Sequence, residues 1–237
     1  MKNVAFIFAR GGSKGIRNKN IIQFYDKPLI AHTISLAQKS NLFEDIVVST
    51  DDENIRDISL SYGASVPFIR PDELATDTSN EFYSWKHAIE NYNKNFDTFI
   101  SLPCTSPLRD YKTVDKMIDK YHTVKCDLLL GVTRSNHIPN FNIVNLESSG
   151  KITINGSPKK QITRRQDAPN CYNITTYAYI TNSKYILKAS QLMDGNIYGY
   201  ELNKKESIDI DDVYDFKFAE YLFVNDIKLN DQKNHEK

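Results

Sequence analysis

The sequence predicts an α/β protein, a mostly parallel sheet with helices on both faces and a small antiparallel arm. Short apolar runs alternate with helix-period stretches over the first 135 residues or so. Polar loops rich in glycine, proline or acids follow three of those runs. Such alternation is the pattern of strands joined by crossover helices. After that point the helix period is lost and short strand-like pieces take over.

The elements follow in order. VAFIF (4–8) reads as a buried strand, and PLIAHTISLAQK (28–39) as a helix with Pro28 in its first turn. DIVVST (45–50) is the next strand, and ENIRDISLSYG (53–63) a helix stopped by Gly63. EFYSWKHAIENY (81–92) is helical, FDTFISL (96–102) a strand, KTVDKMIDKYH (112–122) helical, and CDLLLGVT (126–133) a strand. Residues from about 136 to 170 carry an NG turn and no helix period, and are expected to form an antiparallel excursion. YNITTYAYITNSKYIL (172–187) reads as a strand and a short helix that return to the main sheet. VYDFKFAEYLF is helical, and the polar tail from about 228 is expected to fray. The expected whole is one domain over 1–237, a Rossmann-like sheet with an arm inside it. Ligands of such sheets bind beyond the carboxyl ends of the strands, so the loops after the first three strands should converge on one crevice.

Bulk composition narrows the function. Hydrophobic residues make up 40% and charged residues 25% of 237, and 30 basic side chains balance 30 acidic ones. A general nucleic-acid binder carries a basic excess, so any anion site here must be local. Three distant cysteines with no CxxC pair indicate neither a disulfide framework nor a zinc site. No apolar run reaches the roughly 18 residues of a membrane span. The start lacks signal-peptide layout, and a cytoplasmic setting is expected.

The opening loop, FARGGSKGIRNKN (8–20), sets Arg10, Lys14, Arg17 and Lys19 among Gly11, Gly12 and Gly15. It fits neither GxxxxGK[ST] nor GxGxxG. Four crowded cations repel one another unless an anion is present, and glycine lets backbone N–H groups close on a ligand. A polyphosphate suits this loop better than solvent does.

Near the other end, SIDIDDVYDF (207–216) places Asp209 and Asp211 two apart in a strand-like run, on one face. Two carboxylates on one face call for a cation, and Mg²⁺ prefers one or two carboxylates plus phosphate oxygens. Asp211 or Asp212 also suits the cap of the following helix.

ARGGSKGIRNKN resembles the N-terminal signature of the acylneuraminate cytidylyltransferases, the CMP–sialic acid synthetase family. STDDENI, TSPLR, RRQDAP and SIDIDDVYDF continue the resemblance in the family's order over nearly the whole chain. The resemblance implies a CTP-dependent cytidylyltransferase that joins CMP to an acidic 3-deoxy-2-ulosonic sugar. It implies that Arg10, Lys14 and Lys19 bear the triphosphate charge, with Ala9, Gly11, Gly12, Ser13 and Asn20 completing the nucleotide loop. Asp209 and Asp211 then hold Mg²⁺, with Asp211 closest to the chemistry. Ser79 in TDTSNE meets the nucleoside, although Thr78, Ser79 or Asn80 would equally cap a helix. Arg109, Arg164, Arg165 and Gln166 are expected on the sugar, with the planar fork of Arg165 clamping its carboxylate. The family is usually dimeric, so the arm is expected to reach a second copy.

One stretch departs from the family. Many sialic acid synthetases read Leu-Gln-Pro-Thr-Ser-Pro-Leu-Arg where this chain has LPCTSPLR, with Pro103 and Cys104 in place of glutamine and proline. Proline offers no side-chain amide, which favours a legionaminic, pseudaminic or amino-modified octulosonic acceptor over sialic acid itself. Cys104 and His87 read as packed residues. The rivals are a cytidylyltransferase for a non-sugar acid such as a phosphonate, a sugar-1-phosphate nucleotidyltransferase and a non-catalytic nucleotide-binding module. Arg10 preceding the glycines argues against the second, and the acid pair against the third.

Overall fold

A computed structural model describes residues 1–13, 15–139, 141–156 and 164–235, with side chains as far as 226. Its centre is a six-stranded sheet in the order β10-β6-β9-β5-β1-β4. These strands are β1 (Asn3–Phe8), β4 (Phe43–Ser49), β5 (Thr98–Ser101), β6 (Leu128–Arg134), β9 (Tyr172–Thr181) and β10 (Ile197–Glu201). Strand β1 lies parallel to both β4 and β5, with Val4 beside Asp45 on one side and Phe99 on the other. Strand β10 is parallel to β6. Strand β9 runs antiparallel between β5 and β6. The expected strand from 172 thus returns to the middle of the sheet, against the prevailing direction.

Side chains alternate across β1. Ala5 and Ile7 enter a core on one face, packed by α1 (Leu29–Lys39), α2 (Glu53–Ser61) and α4 (Tyr111–Val124). Val4 and Phe6 enter a second core on the other face, with α3 (Glu81–Asn91) and α5 (Ser183–Lys188). The helices start where short polar side chains cap them. Asp52 accepts from the Ile55 N–H at 3.0 Å, Asp110 from Lys112 at 3.0 Å, and Asn182 from Tyr185 at 2.9 Å. Gly63 follows α2 at φ +84°, a left-handed turn that suits glycine.

A third, smaller core positions the functional loops. Phe24, Leu29, Leu108, Ile210 and Ala219 are buried together, with Ile16, Ile22, Ile208 and Phe216 packed against them. Phe24 belongs to a two-stranded ribbon, β2 (Gln23–Phe24) and β3 (Lys27–Pro28), and Ala219 to the last helix, α6 (Val213–His235). The helix continues past residue 228, where the polar sequence predicts fraying. This core gathers the opening loop, the loop after β5 and the segment before α6 onto one edge.

The antiparallel excursion contains the hairpin of β7 (Val144–Leu146) and β8 (Ile152–Ile154). Its turn is made by Glu147 to Gly150, with Gly150 at φ +84°, rather than by the NG pair, which follows β8. The strand-like reading of SIDIDD is also revised. The segment forms no strand, and is held by single bonds such as Ile210 N–H to the Thr105 carbonyl at 2.9 Å.

Candidate functional site

The loops after β1, β4 and β5 emerge side by side because those strands are adjacent and parallel, and a cleft of about 600 Å³ opens at their carboxyl ends. Arg10, Ser13, Lys19, Asn20, Ser79 and Asp211 all line it, as the sequence predicts. Arg70, Glu81 and Thr105 join them. Lys14, expected among the phosphate contacts, lies outside the described residues.

Packing and hydrogen bonds shape the opening loop. Ala9 is fully buried at its base and donates its N–H to Ser49 O at 3.1 Å. The Gly11 N–H donates to Asp51 at 3.2 Å, and a β-carbon on Gly11 would sit 2.7 Å from an Asp52 carboxylate oxygen. Gly12 has open space around it and the Ser13 N–H turns back to Gly11 O at 3.2 Å. Asn20 is buried and donates its side-chain amide to Arg10 O at 2.9 Å, which fixes the end of the loop. Arg10 bonds Ala75 O at 3.3 Å and pairs with Asp77 at 2.7 Å, both side chains about one-third exposed.

The opening loop touches the acid pair directly. Lys19 Nζ donates to Ile210 O at 2.7 Å, across 191 residues of sequence. A β-carbon on Gly15 would collide with the backbone carbonyl oxygen of Asp211. Ile210 is fully buried, while Asp211 opens into the cleft. One oxygen of the Asp209 carboxylate is buried without a hydrogen-bond partner among the described residues. Burial and the neighbouring Asp209 charge push the Asp211 pKa up, against the pull of Lys19. Asp212 caps α6, accepting from Tyr214 at 2.7 Å and Asp215 at 3.0 Å, and Asp215 reaches back to the Asp211 and Asp212 N–H groups. The cap and the acid pair are therefore separate residues. No cluster of three histidine, cysteine or acidic side chains forms a closed metal site among the described residues. Two carboxylates with an unfilled oxygen instead suit a hard cation that takes its other ligands from phosphate and water.

Ser79 donates its hydroxyl to Thr76 O at 2.8 Å, while Asn80 caps α3 by accepting from Phe82 at 3.0 Å. Two cleft residues, Arg70 and Glu81, carry no local motif. Arg70 is 4% exposed, reaches Asp51 at 3.3 Å and has no partner for its Nε. Burial lowers its pKa. Asp51 thereby ties Arg70 to Gly11. Glu81 accepts from the Trp85 indole N–H at 3.0 Å. Its carboxyl is reached by water inside the cleft and enclosed by protein elsewhere, which raises its pKa. The only sequence signal for Glu81 is its place at a helix start, and Arg70 carries none.

Four expected sugar contacts stand elsewhere. Arg109 is buried behind the cleft and donates to Ser106 O at 2.9 Å, Tyr177 O at 3.0 Å, Thr33 Oγ1 at 3.2 Å and the Pro103 carbonyl. Burial brings its pKa down to about 10, so it stays charged at neutral pH. That is a brace within the protein, not a contact in the cleft. Arg164 pairs with Asp167 at 2.7 Å on the surface. Arg165 bonds the Asn136 carbonyl at 3.0 Å, and with Gln166 lines a second hollow of about 590 Å³ at the base of the arm. Within one chain these residues and the cleft are not brought together. Cys104 is buried and its thiol is pushed up to about 12, which leaves it inert.

The sequence pattern of a family described as Cytidylyltransferase matches residues 4–234. An N-acylneuraminate cytidylyltransferase of Escherichia coli O18:K1:H7 is 35% identical over the whole chain, which spans about half of that longer protein, 54%. A CMP-N,N'-diacetyllegionaminic acid synthase of Campylobacter jejuni is 32% identical over 91% of this chain and 92% of its own. Among solved structures, a CMP:2-keto-3-deoxy-manno-octonic acid synthetase complexed with CTP superposes with a TM-score of 0.73. It covers 95% of this chain and 100% of its own at 14% identity, a likeness of fold.

Proposed function

Because the chain belongs to the cytidylyltransferase family, we propose that it transfers the cytidylyl group of CTP to an acidic 3-deoxy-2-ulosonic sugar. The anomeric hydroxyl attacks the α-phosphate in line, a new P–O bond forms, the bond to the β-phosphate breaks and pyrophosphate leaves. One observation carries this reading: the cationic glycine loop and the acid pair, 191 residues apart, meet at Lys19 and Ile210. A loop that neutralises phosphate beside a pair that takes a cation fits a chelated nucleoside triphosphate.

Arg10, Lys14 and Lys19 bear the pyrophosphate charge, and Ser13, Asn20 and the glycine N–H groups hold the phosphate chain in place. Arg70 offers its unfilled Nε to an acceptor atom of the nucleotide, and Ser79 faces the nucleoside. Mg²⁺ fits Asp209, with its orphaned buried oxygen, and Asp211, whose pKa is raised by burial and the neighbouring acids. Bound there, it would neutralise phosphate charge and polarise the reacting phosphorus. Positioning by the loop supplies the remaining advantage. Legionaminic, pseudaminic and amino-octulosonic acids are the acceptor candidates, given Pro103.

We take residues 1–237 as one nucleotidyltransferase domain that works in the cytoplasm as a homodimer. The arm hairpin presents Val144, Leu146, Ile152 and Ile154 to solvent, a strip that a second copy would cover. Arg164, Arg165 and Gln166 at the base of the arm would then serve the partner's cleft.

The test is pyrophosphate release from CTP, UTP, ATP and GTP against a panel of ulosonic acids. CTP alone should support turnover. Asp211→Asn should cut turnover about 100-fold or more while CTP affinity stays within a few-fold, the mark of an interaction made in the transition state. Unchanged turnover in that variant refutes the role of the acid pair.

A further inference from the structure

We propose that Glu81 reads the exocyclic amine of cytosine and, with Arg70, makes the cleft prefer CTP over UTP. The inference rests on the cytidylyltransferase reading and deepens it.

The cleft has two walls. The opening loop and Asp211 form one, which the phosphate chain and its cation fill in that reading. One continuous stretch of chain, with Arg70, Ser79, Glu81 and Ser84 along it, forms the other. The stretch is tied down at both ends. The Arg70 N–H donates to Thr50 O at 2.8 Å, and the Ser84 hydroxyl to Leu74 O at 3.2 Å. With the first wall taken by phosphates, the nucleoside extends along the second.

Two polar groups in the second wall are unfilled. Glu81, in the first turn of α3, accepts the Trp85 indole N–H at Oε1, 3.0 Å away. Among the described residues nothing donates to its other oxygen. Trp85 is 2% exposed and held among Phe8, Phe99 and Tyr179, with ring centroids 6.2, 5.2 and 5.5 Å away, so the carboxyl is fixed in place. Arg70 gives its terminal Nη2 to Asp51 and leaves Nε buried without a partner. Arg70 and Glu81 attract each other, but among the described residues no ion pair joins them. A fixed acceptor and a fixed donor therefore stand apart in one wall.

Each costs free energy until a ligand satisfies it. Cytosine satisfies both along a single edge, since its 4-amino group donates while N3 and O2 accept. Uracil reverses the polarity. Its O4 would face the carboxylate and its N3–H the guanidinium, and both contacts repel. Hydroxyls of ribose or of a sugar acceptor turn to donate or accept, so they do not call for a rigid pair of opposite polarity. A site built around a ligand N–H rejects the analogue that lacks it. Phe8, beside Trp85 and also lining the cleft, offers the base an aromatic neighbour.

The experiment measures binding of three nucleotides in the absence of acceptor: CTP, UTP and the triphosphate of 2-pyrimidinone riboside, which is CTP without its amine. Wild-type enzyme should bind CTP about tenfold or more tighter than the amine-free analogue, the ratio one charge-assisted hydrogen bond supplies, and UTP more weakly still. Glu81→Gln keeps an oxygen for Trp85 and turns an amide donor toward the base. It should weaken CTP about tenfold, leave the analogue within about threefold and tighten UTP, by the same single-bond reckoning. Equal binding of CTP and the analogue by wild-type enzyme overturns the inference, and needs no variant to fold. A Glu81→Gln variant that weakens all three nucleotides alike, or keeps the wild-type ratio of CTP to UTP, overturns it as well. Folded wild-type enzyme that binds none of the three and releases no pyrophosphate with any ulosonic acid sinks the functional reading and the inference together.

Discussion

Arg109 spends its guanidinium on three backbone carbonyls and one hydroxyl, in a place only 8% exposed where water cannot take over. Those acceptors come from the loop after β5, from β9 and from α1, so one side chain fastens the floor of the cleft to two other elements. Each carbonyl left empty costs about 1–3 kcal/mol. Arg109→Ala should therefore destabilise the protein by at least about 3 kcal/mol, by the same count of stranded acceptors. Denaturant unfolding reads this directly, and a loss under about 1 kcal/mol would show the brace to be dispensable. Arg10 and Asp77 make the opposite case. Both are about one-third exposed, and such pairs contribute at most about 1 kcal/mol, so an arriving phosphate can take Arg10 from Asp77 at small cost.

At the scale of elements, the site is a contact between two segments that the small third core presses together. Ile210, buried between the two acids, contributes roughly 1.5–3 kcal/mol to that placement. Gly15 allows the approach, because any side chain there meets the Asp211 carbonyl. Gly15→Ala should displace the acids from the loop and lower kcat/KM for CTP at least tenfold, with the unfolding midpoint little changed. An alanine variant of full activity would mean that the segments need not touch. Both segments were legible in the sequence because their chemistry is local: cations among glycines in one, acids at spacing two in the other. Arg70 and Glu81 were not, since each is a single residue brought to the cleft only by tertiary structure. The direction of β9 was hidden for a similar reason, as a strand's apolar pattern does not record which way it runs. Strand β10 escaped notice because Gly199 interrupts a five-residue run that is mostly open to solvent. Arg109 was legible as part of TSPLR, but nothing in those letters told a buried brace from a ligand contact.

For the molecule as a whole, the arm poses a problem that one chain cannot solve. A two-stranded hairpin on its own is marginally stable in water, and β7–β8 has no third strand among the described residues. Its four branched side chains are all exposed, Leu146 at 72% and Ile152 at 60%. An apolar strip of this kind, beside arginines that do not reach their own cleft, is explained if a second copy covers the strip and receives the arginines. Leu146→Asp combined with Ile152→Asp should then give a monomer in sedimentation equilibrium where the parent chain is a dimer. The nucleotide contacts proposed in the cleft all come from one chain, so CTP affinity should stay within twofold in the monomer. Acceptor KM should rise at least tenfold, because Arg165 and Gln166 would no longer stand over the partner's cleft. A parent chain that is already monomeric, or a monomeric variant with unaltered acceptor KM, would confine the whole reaction to a single subunit and leave the arm to some other task.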